Sequence, residues 1–300
     1  MNRSDRPELV RIRRRSRLER LWLERLTEPV HLNVISLGVA LFGSFEAKVD
    51  FDLVRRPQYA FSLLNAAKNA RRQGIGALTA IEFGVANGAG LLNMCRLADR
   101  VTRATGVRFS IFGFDSGTGM PPPCDYRDHP ERFQEGDYPM DRQKLEAALP
   151  DNAKLVIGRI EDTVPEFIGT LSSDAPIGFV AIDVDYHSSA VSALRILEGD
   201  PELYLPALTV YLDDIDGEFS NPWCGELLAV SEFNERHGLR KISPFNLLEC
   251  RRVFRNAQWL RKIYTAHIFD HPYRSPDRPR VAQRVLPSEP SRVPQPSAVR

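Results

Sequence analysis

The sequence predicts an α/β fold: a doubly wound, mostly parallel sheet with an N-terminal helical extension. Two patterns support this prediction. Short apolar runs rich in β-forming residues alternate with stretches of helical periodicity, and Gly or Asp clusters follow directly after several of the runs. Strands that are buried on both faces read as continuous apolar runs, and parallel pairing requires helical crossovers between them. The 43% apolar content provides a core and excludes a wholly disordered chain.

The predicted elements alternate in order along residues 58–270, which we assign to one domain. A helix over 58–73 stops at Gly74, and a second helix over 91–105 separates the first two strands. Helical stretches also follow the third, fourth and fifth strands. The predicted strands are 78–84, 107–115, 154–158, 177–183, 207–213 and a late edge strand at 262–269.

Charge divides the chain into basic ends and an acidic middle. Residues 1–27 carry a net charge of +5 and residues 271–300 carry +4, so the stretch between them carries −8 in a chain of net +1. The tail at 271–300 contains seven prolines and no glycine, which predicts a disordered, Pro/Arg-rich segment. Residues 1–57 are predicted to form a separate basic helical segment.

Within that N-terminal segment, apolar residues recur at helical spacing beneath an Arg-rich face. One interpretation is an arm that binds nucleic acid or anionic lipid. The favoured alternative is a short amphipathic helix that packs on the domain or on a second subunit, because a longer basic stripe and interleaved aromatic residues are missing. We therefore predict no nucleic-acid partner and keep a homo-oligomer contact as one outcome. The apolar residues are Leu18, Leu21, Trp22 and Leu26.

The cysteine and hydropathy patterns predict a cytoplasmic protein. The four cysteines are far apart and form no C-x-x-C pair, which argues against a disulfide framework or a zinc site. No segment approaches the ~20 uninterrupted apolar residues that a membrane span needs.

A glycine-rich turn, IEFGVANGAG (81–90), follows the first predicted strand. Its three glycines, Gly84, Gly88 and Gly90, permit positive φ and let a ligand approach the backbone at the start of a helix. The spacing differs from the G-x-G-x-x-G of dinucleotide-binding folds. The carboxylate of Glu82, just inside the strand end, would repel a pyrophosphate and attract an ammonium group. The alternative is a turn needed only for helix–sheet packing.

Acids also mark the ends of the next two strands. Asp115, followed by Ser116, ends the second strand, where a carboxylate can accept both hydroxyls of a ribose. After the third strand, Glu161 or Asp162 could reach an adenine amino group. Acids at three adjacent strand ends line the crevice in which such sheets bind ligands. The pattern predicts an amine-bearing nucleoside, and S-adenosylmethionine fits better than NAD or ATP.

A carboxylate cluster is predicted at the following two strand ends. Asp183 and Asp185 close the fourth strand, and Asp213 and Asp214 close the fifth. Like charges packed together are costly unless protons or a cation neutralise them, and oxygen-only ligation suits Mg²⁺. Each acid alone is typical of a helix N-cap or a solvated loop, but the four together favour a metal site with one carboxylate left as general base.

Two neighbouring residues receive no fixed role. His187 lies beside the cluster and is kept out of the metal ligands, because a partly buried, hydrogen-bonded His is the commoner outcome. Trp223 is interpreted either as a wall of the pocket or as an ordinary core or lid aromatic.

These motifs resemble the macrocin O-methyltransferase-like family of class I S-adenosylmethionine-dependent methyltransferases over about residues 58–236. The resemblance rests on IEFGVANGAG, GFDSGTGMPPP, GRIEDTVP, IDVDYHSS and LDDI followed by WCGELLAVSEF. It implies a Rossmann-like class I methyltransferase fold and Mg²⁺-dependent modification of hydroxyls, often on sugars of natural products. It also implies that Asp183, Asp213 and Asp214 hold the metal and that Asp185 is the base.

The sequence departs from the family's pattern in four places. Val184 replaces a Gly, His187 stands where an acid is common, and Ile215 replaces a Tyr. The first 50 residues have no counterpart in the resemblance, and this segment, including VISLGVALFGSF (34–45), is the expected source of a lid or acceptor wall.

The leading functional hypothesis is therefore an S-adenosylmethionine-dependent O-methyltransferase that uses Mg²⁺ and a small-molecule hydroxyl acceptor. A metal-dependent nucleotide-sugar glycosyltransferase could use the same D-x-D element, but the glycine loop and Glu82 argue against it. A non-catalytic methyltransferase-like binding protein ranks last. A relative that had lost its activity should lack at least one of the clustered Asp residues, and all four are present.

Overall fold

Seven strands form a single sheet in the computed structural model of the chain, which describes residues 24–216 and 220–277. The strand order is β3-β2-β1-β4-β5-β7-β6, and every pair is parallel except those of β7, which runs antiparallel to both of its neighbours. The strands are β1 (Ala77–Phe83), β2 (Arg108–Asp115), β3 (Ala153–Ile157), β4 (Ile177–Ile182), β5 (Tyr204–Leu212), β6 (Arg240–Pro244) and β7 (Ile263–Ile268). The predicted doubly wound, mostly parallel sheet is confirmed.

Helices cover both faces of this sheet, so its central strands are buried. The helix that precedes β1 begins with Pro at its first position, where the missing N–H costs nothing, and buries a stripe of Tyr, Leu and Ala. All six residues of β4 are buried. The helices are α1 (Val30–Phe42), α2 (Phe45–Asp50), α3 (Pro57–Arg72), α4 (Ala89–Thr105), α5 (Arg142–Glu146), α6 (Ile160–Ile168), α7 (His187–Leu194) and α8 (Gly225–Arg236).

The late strand was wrongly placed at the sheet edge. β7 lies between β5 and β6, and the strand at this edge of the sheet is β6, which was not predicted from the sequence. The five residues of β6, RKISP, contain two cations and a Pro, a composition typical of a loop. Charged residues and Pro are nevertheless tolerated on an edge, where they hinder pairing with another chain.

The N-terminal segment is anchored to the sheet domain by a buried ion pair. Arg252 lies 2.7 Å from Asp52 and 3.2 Å from Asp50, at the end of α2. Leu18, Leu21 and Trp22 lie outside the described residues. No helix in residues 24–216 and 220–277 is both long and apolar enough to cross a membrane.

At the other end, residues 271–277 are described and residues 278–300 are not. Arg274 donates two hydrogen bonds to the carbonyl of Pro206, 3.2 and 2.8 Å long, so this short stretch contacts β5. The domain boundaries remain a prediction.

Candidate active site

The predicted site residues meet at the carboxyl edge of the sheet. β1 pairs with β2 on one side and with β4 on the other, which places the point where the strand order reverses at the end of β1. Open α/β sheets bind ligands in the crevice at such a point. Glu82 in β1, Asp183 after β4 and Asp213 after β5 all lie at this edge.

Gly84 allows the ends of β1 and β4 to touch. A Cβ atom at this position would lie 1.7 Å from the carbonyl oxygen of Asp183, and its φ of +83° is in the left-handed region. Across the same junction, the N–H of Asp183 donates to the carbonyl of Phe83 at 2.9 Å. Only Gly fits here. Because Gly84 has no side chain, the backbone of Asp183 can lie directly against the glycine loop.

Glu82 is a buried carboxylate at the centre of the crevice. It is 1% exposed, and the hydroxyl of Tyr59 donates to its Oε1 at 2.6 Å. A Cβ atom on Gly90 would lie 1.9 Å from Oε1, so the first turn of α4 rests on this carboxylate. Burial raises the pKa of Glu82 to about 7, against the lowering effects of Tyr59 and Arg56. Its Oε2 has no hydrogen-bond partner among the described residues and can accept a bond from a ligand donor.

Asp115 holds the glycine loop in place. Its Oδ2 accepts hydrogen bonds from the N–H groups of Val85 and Ala86 at 3.0 and 2.9 Å, and its Oδ1 accepts one from Gly117 at 2.8 Å. A carboxylate oxygen has two lone pairs, so only Oδ1 keeps capacity for a ribose hydroxyl in this arrangement. The bidentate grip expected from the sequence would require these loop bonds to rearrange. Ser116 shapes the following turn, because its Oγ donates to the carbonyl of Gly119 at 2.6 Å.

The remaining predicted nucleoside contacts lie at helix starts. Gly88 precedes α4, and a Cβ atom there would lie 2.3 Å from the side chain of Leu145. Glu161, in the first turn of α6, pairs with Arg159, and its neighbour Asp162 is exposed. Their roles toward an adenine stay predictions.

The three predicted metal ligands converge. Carboxylate oxygens of Asp183, Asp213 and Asp214 lie within 4.8 Å of one another. Burial, followed by the charges of Asp213 and Asp214, raises the pKa of Asp183 well above its usual range. Burial likewise raises the pKa of Asp214, with a further contribution from its neighbour Asp185. Carboxyl groups held this closely need protons or a cation to offset their repulsion.

Asp185 occupies a strained turn next to these ligands. Its φ is +56°, and the N–H of Tyr186 donates to the carbonyl of Val184 at 2.5 Å, the i→i+2 bond of a γ-turn with positive φ. Strain of this kind costs about 1–3 kcal/mol and is concentrated at functional sites. The side chain hydrogen-bonds Asp214, so the predicted base lies at the metal cluster.

A fifth carboxylate, Glu226, was not assigned from the sequence. It lies in the first turn of α8, is 1% exposed, and its Oε2 accepts a hydrogen bond from the N–H of Asp214 at 3.2 Å. Within the described part of the chain its Oε1 has no partner, as is also true of Oδ2 of Asp214. The available signal was the GE pair that opens a helix in WCGELLAVSEF.

Two cations near the cluster were also missed. The ammonium group of Lys262 lies 2.5 Å from Asp216 and 3.6 Å from Oδ1 of Asp213, which also accepts a bond from the hydroxyl of Tyr211. The guanidinium of Arg56 lies 5.2 Å from the ring centroid of Tyr59 and faces the buried acids. No local pattern could identify these residues, because they reach the site from the residue before β7 and from the residue before α3.

A cavity of about 590 Å³ adjoins Asp213 and Asp214. Residues 24–28, 52–58 and 254–262 contribute to its walls, together with Arg132. The N-terminal segment therefore forms part of the wall, as expected, but residues 34–45 do not line it. Trp223, the proposed pocket wall, is 70% exposed and does not line it either.

His187 is engaged outside the metal cluster. Its Nε2 lies 3.0 Å from Oε2 of Glu232, and the ring is buried. This arrangement matches the prediction of a buried, hydrogen-bonded His.

The donor sets fit the two expected ligands. The cluster offers only carboxylate oxygens, which suits a hard cation such as Mg²⁺. One of them, Oδ2 of Asp214, and the neighbouring Oε1 of Glu226 are buried without partners in the described residues. The unpartnered Oε2 of Glu82, beside the glycine loop, is an acceptor that suits an ammonium group.

No protein-family model and no curated protein matches this sequence. Several solved methyltransferase structures are similar. NovP, an O-methyltransferase, is 20% identical, with 60% of this chain and 72% of NovP covered and a TM-score of 0.42. The calicheamicin methyltransferase CalS11 is 18% identical. The match covers 79% of this chain and 91% of CalS11, with a TM-score of 0.46. The O-methyltransferase TomG from Streptomyces achromogenes, solved with S-adenosylmethionine, is 13% identical. The match covers 84% of this chain and 96% of TomG, with a TM-score of 0.41.

Proposed function

We propose that this chain is an S-adenosylmethionine-dependent O-methyltransferase, of the macrocin O-methyltransferase-like kind, that uses Mg²⁺ to methylate a hydroxyl of a small molecule. One observation supports this most: the unpartnered carboxylate oxygen of Glu82 lies at the same edge of the sheet as the cluster of Asp183, Asp213 and Asp214, close enough for the charge of Glu82 to raise the pKa of Asp183. A carboxylate that could bind an ammonium group thus lies beside carboxylates that could hold a hard cation. Methyl transfer to a metal-oriented hydroxyl needs both.

The cofactor would bind across the glycine loop. Glu82 would accept a hydrogen bond from its ammonium group, and Asp115 would accept one from a ribose hydroxyl through Oδ1. The loop from Gly84 to Gly90 would lie against the cofactor, and Glu161 or Asp162 would reach the adenine amino group. Each contact uses an oxygen or a backbone surface at the carboxyl edge of the sheet.

The metal would be held by Asp183, Asp213 and Asp214. Bound there, Mg²⁺ would lower the pKa of the acceptor hydroxyl and orient it. Tyr211 and Lys262 fix the carboxylate of Asp213, and Glu226 fixes the backbone of Asp214. These contacts set the ligand geometry before any ion arrives.

Asp185 would act as the general base. Its γ-turn places the carboxylate beside Asp214, where it can accept the proton of the acceptor hydroxyl. As that proton left, the acceptor oxygen would bond to the methyl carbon and the carbon–sulfur bond would break, so that S-adenosylhomocysteine would be the product. The protein contributes positioning and charge neutralisation, because the sulfonium methyl is already reactive.

The cavity beside the cluster supports a polar acceptor of modest size. Its volume of about 590 Å³ is in the range of small-molecule sites. Its walls combine acids with Arg25, Arg55, Arg56 and Arg132, groups that hydrogen-bond hydroxyls well. A sugar or a sugar-bearing natural product meets these requirements.

The test is incubation of the purified chain with methyl-labelled S-adenosylmethionine and a panel of hydroxylated glycosides. We expect label transfer with Mg²⁺, its loss with a chelator, and its recovery when Mg²⁺ is restored in excess. Transfer that survives chelation would remove the metal from the proposal. Donor-sugar hydrolysis from a nucleoside diphosphate sugar, without methyl transfer, would instead support the glycosyltransferase.

A further inference from the structure

Arg56, the residue before α3, is a partly buried cation with unused hydrogen-bond donors. Among residues 24–216 and 220–277, its guanidinium makes no hydrogen bond and no ion pair, although it lines the cavity that Asp213 and Asp214 also line. It lies over the ring of Tyr59, 5.2 Å from the centroid. A guanidinium carries several N–H donors, and donors that are taken out of water without an acceptor are costly. An acceptor from a bound ligand would remove that cost.

The backbone of Arg56 is strained. Its φ of +53° lies in the left-handed region, which a non-Gly residue rarely adopts, and the Pro that follows restricts it further. Such a conformation persists only where the surrounding structure enforces it, and it is concentrated at functional sites. The same residue has unused donors at the cavity wall, so a role in binding accounts for both features.

Tyr59 contacts both Arg56 and Glu82. Its hydroxyl donates to Oε1 of Glu82 at 2.6 Å, and the guanidinium of Arg56 lies over its ring. Burial raises the pKa of Glu82 and the charge of Arg56 opposes that rise, so the two groups are near each other. They form no ion pair, however, and Oε2 of Glu82 has no hydrogen-bond partner in the described part of the chain. A cation and an anion with unused hydrogen-bonding capacity thus share one buried tyrosine.

The other cations that line the cavity are less suited to a ligand bound at Glu82. Lys262 is held in an ion pair, and Arg25 lies among acids that residues 24–52 contribute. By contrast, the acids that act on Arg56 lie at the carboxyl edge of the sheet, and Glu82 is one of them. The remaining two cations are exposed; they are Arg55 and Arg132.

The proposed cofactor carries a carboxylate to which the contacts described above give no partner. S-adenosylmethionine ends in an α-amino acid, so its ammonium and carboxylate groups are attached to one carbon atom. An ammonium group bound at Glu82 therefore brings a second anion close to that side chain, which is unfavourable unless a cation receives it. A guanidinium matches a carboxylate with two parallel hydrogen bonds, which makes Arg56 the suitable partner.

We propose that Arg56 binds the α-carboxylate of S-adenosylmethionine and thereby selects a nucleoside that carries a complete amino acid. This role rests on the proposed function, because the same ligand must place its ammonium group at Glu82. Tyr59 contacts both charged side chains, so the two ends of the zwitterion are received by groups that one tyrosine positions. Arg56 takes no part in the proton transfer.

Calorimetric titration at pH 8 with two ligands tests this role. One is S-adenosylhomocysteine, and the other is its decarboxylated analogue S-adenosyl-3-thiopropylamine, which keeps the amine. We expect Arg56→Gln to weaken binding of S-adenosylhomocysteine about tenfold or more, because charge-assisted hydrogen bonds are lost, and to leave the affinity for the analogue within about threefold of the wild type. An unchanged affinity for the analogue also shows that the variant is folded.

Two further variants sharpen the comparison. Arg56→Lys keeps the charge but not the planar fork, so it should recover only part of the lost affinity. Arg71→Gln removes an exposed arginine from the last turn of α3, roughly 20 Å along the helix from Arg56, and should bind both ligands like the wild type.

Equal losses for the two ligands in Arg56→Gln, or no loss for either, would overturn the role of Arg56. If both affinities are kept while methyl transfer to acidic glycosides, but not to neutral ones, is lost, Arg56 binds an anionic acceptor instead and the role is again overturned. A wild-type chain that binds neither ligand would overturn the proposed function itself, and this role with it.

Discussion

At the scale of single residues, Glu82 combines burial with an unpartnered oxygen, and its charge state should control cofactor binding. Its pKa is raised to about 7, so the carboxylate is charged above pH 7 and increasingly protonated below it. We predict that S-adenosylhomocysteine binds more weakly as the pH falls from 8 to 6, because the ammonium group loses its anionic partner.

Glu82→Gln should weaken binding at pH 8 by about tenfold or more, since a hydrogen bond to a charged group is worth about 1.5–3 kcal/mol, and should flatten this pH dependence. Calorimetric titrations at pH 6, 7 and 8 measure both effects. Glu146→Gln, at an exposed acid paired with Arg142, is the control and should bind like the wild type. Equal affinity of wild type and Glu82→Gln at every pH would remove Glu82 from the cofactor site.

Asp185 should matter for chemistry and not for cofactor affinity. Asn tolerates positive φ at least as well as Asp, so Asp185→Asn keeps the γ-turn and removes only the base. We predict a loss of about 10²–10⁴ in methyl-transfer rate, with S-adenosylhomocysteine affinity within about twofold of the wild type. The rate comes from label transfer and the affinity from calorimetry. A large loss of affinity would mean that Asp185 positions the cofactor instead.

At the scale of elements, the junction between β1 and β4 should tolerate no side chain at Gly84. Gly84→Ala places a Cβ atom 1.7 Å from a backbone oxygen, which requires the strand ends to separate. Gly74 has a similar φ of +78° with open space around its Cβ position, so Gly74→Ala isolates the conformational cost alone.

We predict that Gly74→Ala lowers the free energy of unfolding by about 1 kcal/mol, whereas Gly84→Ala lowers it by about 4 kcal/mol or more. Urea unfolding followed by circular dichroism compares the two variants. Equal losses would show that the close approach to Asp183 does not constrain this position.

The elements that could be predicted from sequence were those with buried, uninterrupted apolar runs. β1 and β4 lie within one residue of their predicted bounds, because helices on both faces leave polar residues no place in them. β6 was missed because an edge strand is only half buried and its RKISP composition lacks that run.

The site residues that could be predicted from the sequence are those that lie at the ends of strands. The parallel sheet alone brings Asp183 and Asp213 together, so their positions follow from chain order. Arg56, Lys262 and Glu226 enter the site from separate elements, and only the packed structure brings them near the cluster. The hydrogen bonds of Asp115 to the glycine loop likewise depend on loop conformation, which no spacing rule gives.

At the scale of the whole molecule, the buried acids should make stability fall as the pH rises. The pKa values of Glu82, Asp183, Asp214 and Glu226 are all raised by burial. An acid whose pKa is raised by folding binds its proton more tightly in the folded state than in the unfolded state. Its contribution to the stability of the fold is therefore complete below the unfolded-state pKa and is lost as the pH rises through the folded-state pKa. Glu82 alone contributes on the order of 3 kcal/mol between about pH 4.5 and 7.

We predict that the melting temperature without Mg²⁺ falls between pH 5 and pH 8, and that Mg²⁺ reverses the fall at pH 8. His267 and His271, whose pKa values are lowered by burial, act in the opposite direction, but they are only partly buried. Scanning calorimetry with and without Mg²⁺ measures the effect, and Glu226→Gln should reduce the slope. A melting temperature that rises steadily from pH 5 to 8 would contradict the charge states assigned to the cluster.

The proposed function requires the crevice to bind an amine-bearing nucleoside rather than a pyrophosphate. Calorimetric titration of S-adenosylhomocysteine and of nucleoside diphosphates into the full-length chain, both with Mg²⁺, tests it most directly. We predict saturable binding of one S-adenosylhomocysteine per chain and no saturable binding of the diphosphates. Saturable, Mg²⁺-dependent binding of a nucleoside diphosphate without binding of S-adenosylhomocysteine would contradict the proposed function.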